Sequence, residues 1–160
     1  MWIKCLGSGV LLVCALIHCY QYERRTTQTK RILSAWIALL TEMKRQIANY
    51  GRPLPEILPL VDPYVLVILE REGIPLSATT LPSICLSHAK ELPPECGEIL
   101  QGVAQDLGTV WRQEQVERLE EDIERLTQQK EAFCEAASGA LRLRRALSLC
   151  GALGVILLVW

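Results

Sequence analysis

The apolar positions of this chain fall into three regimes. At the amino end, Cys5 to Tyr22 reads "CLGSGVLLVCALIHCYQY", apolar or weakly polar throughout. These ~18 residues approach the roughly 20 that a helix needs to cross about 30 Å of hydrocarbon. At the carboxyl end, Ala146 to Trp160 reads "ALSLCGALGVILLVW", with no charge after Arg145 and only Ser148 as a hydroxyl. Between the two runs, apolar residues recur every three or four positions, the period of a helix with one buried face.

That middle section predicts a series of helices. From Arg24 to Tyr50, Ile32, Trp36, Leu39 or Leu40, Met43 and Ile47 form a stripe, widened by Leu33 and Ile37, while Lys30, Glu42, Lys44 and Arg45 stay off it. Gly51 and Pro53 end this helix, since glycine takes the left-handed turn and the residue before proline avoids the helical region. "LPEILPL" predicts a short turn broken at Pro59. "DPYVLVILEREG" predicts a helix capped by Asp62, with Pro63 first and Gly73 past its end. Thr79 or Thr80 caps a further short helix with Pro82 in its first turn, and Ile99, Leu100, Val103 and Leu107 form the inner face of another.

Thr109 is expected to cap the longest element, in which Val116, Leu119, Ile123, Leu126, Phe133 and Ala137 follow a three-four alternation interrupted by Lys130. Glu114 and Arg118, and Glu121 and Arg125, stand four apart and support such a helix. No stretch alternates at period two. The expected fold is therefore all-α: a bundle of about five or six helices, with the two long ones continuing into the terminal runs.

The terminal runs themselves read as transmembrane anchors. A cleaved signal peptide would want a more basic start and small residues at its cleavage site, where this chain has Cys19, Tyr20, Gln21 and Tyr22. The carboxyl run spans only about 22 Å as a helix, but it is uncharged, carries Gly151 and Gly154 at packing spacing and ends on an amphipathic Trp160. Arg24, Arg25, Lys30 and Arg31 follow the first run and Arg142, Arg144 and Arg145 precede the second, so the positive-inside rule puts the middle in the cytosol. The expected organisation is an anchor at 1–22, a cytosolic bundle at 23–145 and an anchor at 146–160.

Composition narrows the function classes. The net charge is -1, which argues against nucleic acid held by counterion release. Seven cysteines, an odd number without tight pairing, argue against a disulfide framework, and Cys85, Cys96 and Cys134 are expected as thiols in a reducing compartment. No glycine-rich phosphate loop, His-Glu-x-x-His or Gly-x-Ser-x-Gly occurs. Cys85, His88 and Cys96 lack a fourth zinc ligand and a standard spacing, so no metal, cofactor or catalytic residue is expected. Cys85 and His88, three apart on one short helix, leave a thiol-dependent membrane enzyme as the alternative. A pore is a weaker reading still, because only His18 and a few Cys and Ser residues are available to line it. The run "EQVERLEEDIERL" reads as the solvated face of a long helix rather than as a docking surface.

One stretch carries a resemblance. "RRTTQTKRILSAWIALLTEMKRQIANYGRPLPEIL" is similar to the stage III sporulation protein AB family of endospore-forming bacteria, whose basic helix has the form R-x-L-x-x-L-x-x-E-I-x-Y-G-x-x-P-L. Arg31, Leu33, Leu39 or Leu40, Glu42, Tyr50, Gly51, Pro53 and Leu54 echo it, and the turn from Tyr50-Gly51 to Leu54 is its most specific part. Leu107-Gly108 matches a pair before the family's last long helix, and "RRALSLCGALGVILLVW" matches its approach to a terminal span. The resemblance runs the length of the chain in order. It departs at "TVWRQEQ", where the family has an acidic residue, and in the proline-rich stretch from Pro55 to Pro94.

This resemblance implies a bundle like the cytosolic domains of the type II secretion inner-membrane F protein. It also implies a non-enzymatic place in the channel complex joining mother cell and forespore, in the membrane on the mother-cell side. The implied partners are a cytosolic ATPase, the stage III sporulation protein AA, other membrane subunits of the complex and the lipid bilayer. Lys30, Arg31, Lys44, Arg45 and Arg52 are the candidate partner contacts, and Gly151 and Gly154 the candidate packing positions within the membrane.

Overall fold

The stripe from Ile32 to Ile47 becomes the buried face of one unbroken helix, α1 (Trp2–Tyr50). The computed structural model describes the backbone of residues 2–70, 73–107 and 111–159, with side chains from 20 to 143 within those ranges and at a few positions beyond. After α1 come α2 (Leu54–Ile57), a single 3₁₀ turn (Leu58–Leu60), α3 (Pro63–Leu69), α4 (Leu81–Ala89), α5 (Pro94–Asp106) and α6 (Arg112–Val159). The fold is all-α, with six α-helices and no strand among the described residues. α6 continues through Gly139 without a break.

The chain divides into two compact units, one formed by Met1–Gln28 with Phe133–Trp160 and the other by Thr29–Ala132. The second unit holds the hydrophobic core. Leu33, Trp36, Leu39, Leu40, Met43 and Ile47 of α1 join Leu119 and Leu126 of α6 in a cluster that also takes in Ile57, Leu69, Leu81, Ile84, Leu100 and Val103. Each fully buried side chain of this size contributes about 1.5–3 kcal/mol by leaving water. The short helices therefore serve as a cover for the face that α1 and α6 cannot hide from each other. In the first unit, Ala137 is buried, and so is Thr26, whose hydroxyl donates to the Tyr22 carbonyl at 2.9 Å.

Local chemistry sets the helix limits. Gly51 takes φ +62 and its N–H donates to the Ile47 carbonyl at 3.1 Å, the single-bond left-handed stop. Asp62 caps α3 by accepting from the Tyr64 N–H at 2.8 Å, with Pro63 in the first position. Thr80 departs from expectation. It stands at the N-cap position of α4, but its hydroxyl faces backward, accepting from the Ser77 N–H at 2.8 Å and donating to the Pro75 carbonyl at 2.8 Å. It closes the preceding turn instead of capping the helix. The expected cap Thr109 lies outside the described residues. α3 stops at Leu69, so Gly73, at φ +75, belongs to the connection beyond and not to the helix end.

The flanking transmembrane helices expected from the terminal runs are not supported: among the described residues no helix is long and apolar enough to cross a membrane. Most side chains of the two apolar runs, His18 among them, lie outside the described residues.

Candidate functional site

Helix α1 ends where α6 begins, and one side chain joins them. Arg112 stands at the first position of α6, where a cation opposes the helix dipole. It is placed there by what it reaches. Its Nε donates to the Ile47 carbonyl at 2.8 Å, which also accepts from the Gly51 N–H, and its Nη2 donates to the Ala48 carbonyl at 2.7 Å, so both arms hold the last carbonyls of α1. At that end the dipole attracts a cation, which offsets the unfavourable placing at the start of α6.

Gly51 completes this clamp by having no side chain. A Cβ there would lie 2.9 Å from Nη1 of Arg112, on a residue already at φ +62. Gly51→Ala is expected to lower folding stability by about 1–2 kcal/mol from the left-handed backbone alone. Displacing Arg112 adds to that loss. Chemical unfolding of the full chain measures it, and an unchanged midpoint would refute the clamp.

Beside the clamp lies a groove of about 440 Å³ lined by Ile47, Gly51, Arg52, Pro53, Leu54, Ala78, Pro82, Leu107, Arg112 and Gln115. Arg52 is half-buried. Its guanidinium lies 5.1 Å from the centre of the Tyr50 ring, and its Nη1 makes a long contact of 3.4 Å to Oε1 of Gln46. Neither Arg52 nor Arg112 forms an ion pair with a carboxylate among the described residues.

The candidate contacts chosen from the sequence separate into two kinds. Lys44 pairs with Glu120 of α6 at 3.1 Å and Arg45 with Glu42 at 2.8 Å, so both are engaged within the bundle. Glu42 is held below the usual carboxylate range, first by the Gln46 amide that donates to it at 2.7 Å and then by Arg45. Lys30 is half-buried and Arg31 exposed on the same helix, well before the groove. Only Arg52 of the five reaches the groove. Arg112 escapes a reading by periodicity, and its signal is the unfavourable placing of a cation at a helix start.

Part of the acidic run of α6 is engaged as well, through Glu114 and Glu120. Arg118 bridges Asp106 at 2.6 Å and Glu114 at 2.7 Å, tying the end of α5 to the first turns of α6. Asp122 is pushed up from the usual carboxylate range by burial, against the pull of Arg125.

Cys85 and His88 share the buried face of α4. The His88 ring meets Trp36 edge to face at 5.8 Å, and its Nε2 lies 3.2 Å from the Leu69 carbonyl. Burial pushes the Cys85 thiol up to about 12 from an ordinary 9.0. A thiol that stays protonated and out of water is a packing group, since the thiolate is the nucleophile. Because the folded-state value is raised, the thiol's contribution to stability is complete below about pH 9 and is lost as pH climbs toward about 12. Iodoacetamide at about pH 8 is expected to leave Cys85 unmodified until the chain unfolds. Rapid native-state labelling at Cys85 would refute this environment.

Cys96 is likewise buried and its thiol raised, first by burial and then by the Glu95 charge. No group of three metal-ligating side chains comes together among the described residues. At Gly151 and Gly154 an added Cβ would meet nothing within 4 Å among the described residues. No family model, curated protein or solved structure matches this chain.

Proposed function

We propose that this chain is a non-enzymatic membrane adaptor of the stage III sporulation protein AB family. In this reading 1–22 and 146–160 anchor it in the mother-cell side of the membrane around the forespore, and the helical bundle faces the cytosol. There it joins a secretion-type ATPase, the stage III sporulation protein AA, to the other membrane subunits of the channel complex. Gly151 and Gly154 suit close helix packing among those subunits.

The observation that carries the reading is the turn Tyr50-Gly51-Arg52-Pro53-Leu54. The family resemblance is most specific there, and there the bundle carries an arginine-bearing groove. The anchors are supported by the uncharged terminal runs and by the arginines beside them. The buried, protonated Cys85 gives the thiol-enzyme alternative no support.

The test is capture of the ATPase by the full-length chain in mild detergent, with ATP turnover recorded together with binding. Saturable capture supports the adaptor reading, and a folded chain that captures nothing overturns it. Alkaline carbonate washing of membranes tests the anchors: an anchored chain stays in the pellet, and extraction into the wash rules the anchors out.

A further inference from the structure

We infer that the groove beside the Arg112 clamp is a docking site for a short, extended, acidic peptide segment of a partner protein, one glutamate or aspartate flanked by apolar residues. Its lining supplies both halves of that description. Ile47, Pro53, Leu54, Ala78, Pro82 and Leu107 make the walls apolar, while Arg52 and Arg112 put two guanidinium groups on the same cavity, neither ion-paired with a carboxylate among the described residues. Such an excess of positive charge over apolar walls is complementary to a carboxylate carried on apolar chain.

A carboxylate fits better than a phosphate. Phosphate sites gather several backbone N–H groups at a helix start or glycine loop. Here the backbone at the groove includes Pro53 and Pro82, which have no N–H to give, and Pro82 occupies the first turn of α4. Recognition therefore falls to the planar guanidinium forks, whose geometry matches a carboxylate.

The volume of about 440 Å³ suits a few residues of extended chain rather than a helix about 10 Å across. Arg112 is already fixed by the α1 carbonyls, and Arg52 is braced over Tyr50, so little ordering is required when the ligand arrives. The inference rests on the adaptor reading only for which protein carries the segment.

The experiment uses the full-length chain in mild detergent and three N-acetylated tripeptide amides, Leu-Glu-Leu, Val-Glu-Val and Phe-Glu-Phe. Their glutamine counterparts, inorganic phosphate and phosphatidylglycerol micelles complete the set. At least one glutamate peptide is expected to saturate with a Kd of about 1 mM or tighter. Its glutamine counterpart is expected to bind about tenfold weaker, and Arg52→Gln to weaken the glutamate peptide by about the same factor. Arg52 is chosen because Arg112 also holds the end of α1, and circular dichroism of the variant confirms its helices.

Failure of all three peptides to saturate by ~10 mM overturns the proposal. So does equal affinity for the glutamate and glutamine forms, or displacement by phosphate or by the anionic micelles. ATPase capture by a chain that takes none of the peptides overturns the groove and leaves the adaptor reading standing. Peptide binding without capture does the reverse.

Discussion

Trp36→Ala is expected to lower folding stability by about 3–5 kcal/mol, the largest loss of any single truncation in this core. The indole is wholly buried in α1 and meets the edge of His88 on α4, whose ring reaches the Leu69 carbonyl at the end of α3. Removing it opens a cavity where three helices converge, and the neighbours, held by their own backbones, relax only partly.

A second substitution separates volume from polarity. The indole N–H is buried with no acceptor among the described residues, so the native fold already bears the cost of desolvating it. Trp36→Phe loses part of the volume but also removes that donor, and a loss of about 1 kcal/mol or less is expected. Denaturant unfolding followed by circular dichroism gives both values. Equal losses for the two variants would show that the site does not distinguish a cavity from a smaller ring.

Gly97→Ala is expected to cost about 3 kcal/mol, the upper end of ordinary overpacking. Gly97 lies in the first turns of α5, and a Cβ added there would sit 2.5 Å from the Ala89 carbonyl oxygen and 3.4 Å from its carbon. Those are backbone atoms at the end of α4, so no side-chain rotation makes room. The two helices would have to part, carrying Ile84, Cys85, Cys96 and Leu100 out of register.

Gly102 provides the contrast within the same helix. A Cβ there would meet nothing within 4 Å. Gly102→Ala is therefore expected to raise stability by about 0.5–1 kcal/mol, because alanine loses less backbone entropy on entering a helix. Opposite signs for two Gly→Ala changes five positions apart cannot come from helix propensity. A neutral or stabilising Gly97→Ala would refute the close approach of α5 to α4.

These residues show what kind of information the chain carries openly. Ile32, Trp36, Met43 and Ile47 declare a buried face because helical period and burial are the same fact seen twice. Asp62-Pro63 and Gly51 declare helix limits because capping and left-handed turns are settled within four residues. Thr80 has the right identity for a cap, yet Ser77 and Pro75 offer its hydroxyl better partners, and nothing in the spacing reveals that competition.

At the site the division is sharper. Lys44, Arg45 and Arg52 are alike in the sequence, three cations near the end of one helix. Only folding brings Glu120 to Lys44 across 76 positions, and with it the engagement of that charge. Arg112 acquires its meaning from carbonyls 64 and 65 positions earlier, and Gly97 from a carbonyl on the neighbouring helix. By itself, then, the sequence determined the all-α class, the two long helices and the turn that ends the first. The tertiary structure alone decided which arginines line the groove without a carboxylate partner among the described residues, and which glycine cannot be replaced. Periodicity and capping are local properties of consecutive residues, whereas charge pairing and close backbone approach exist only once distant segments meet.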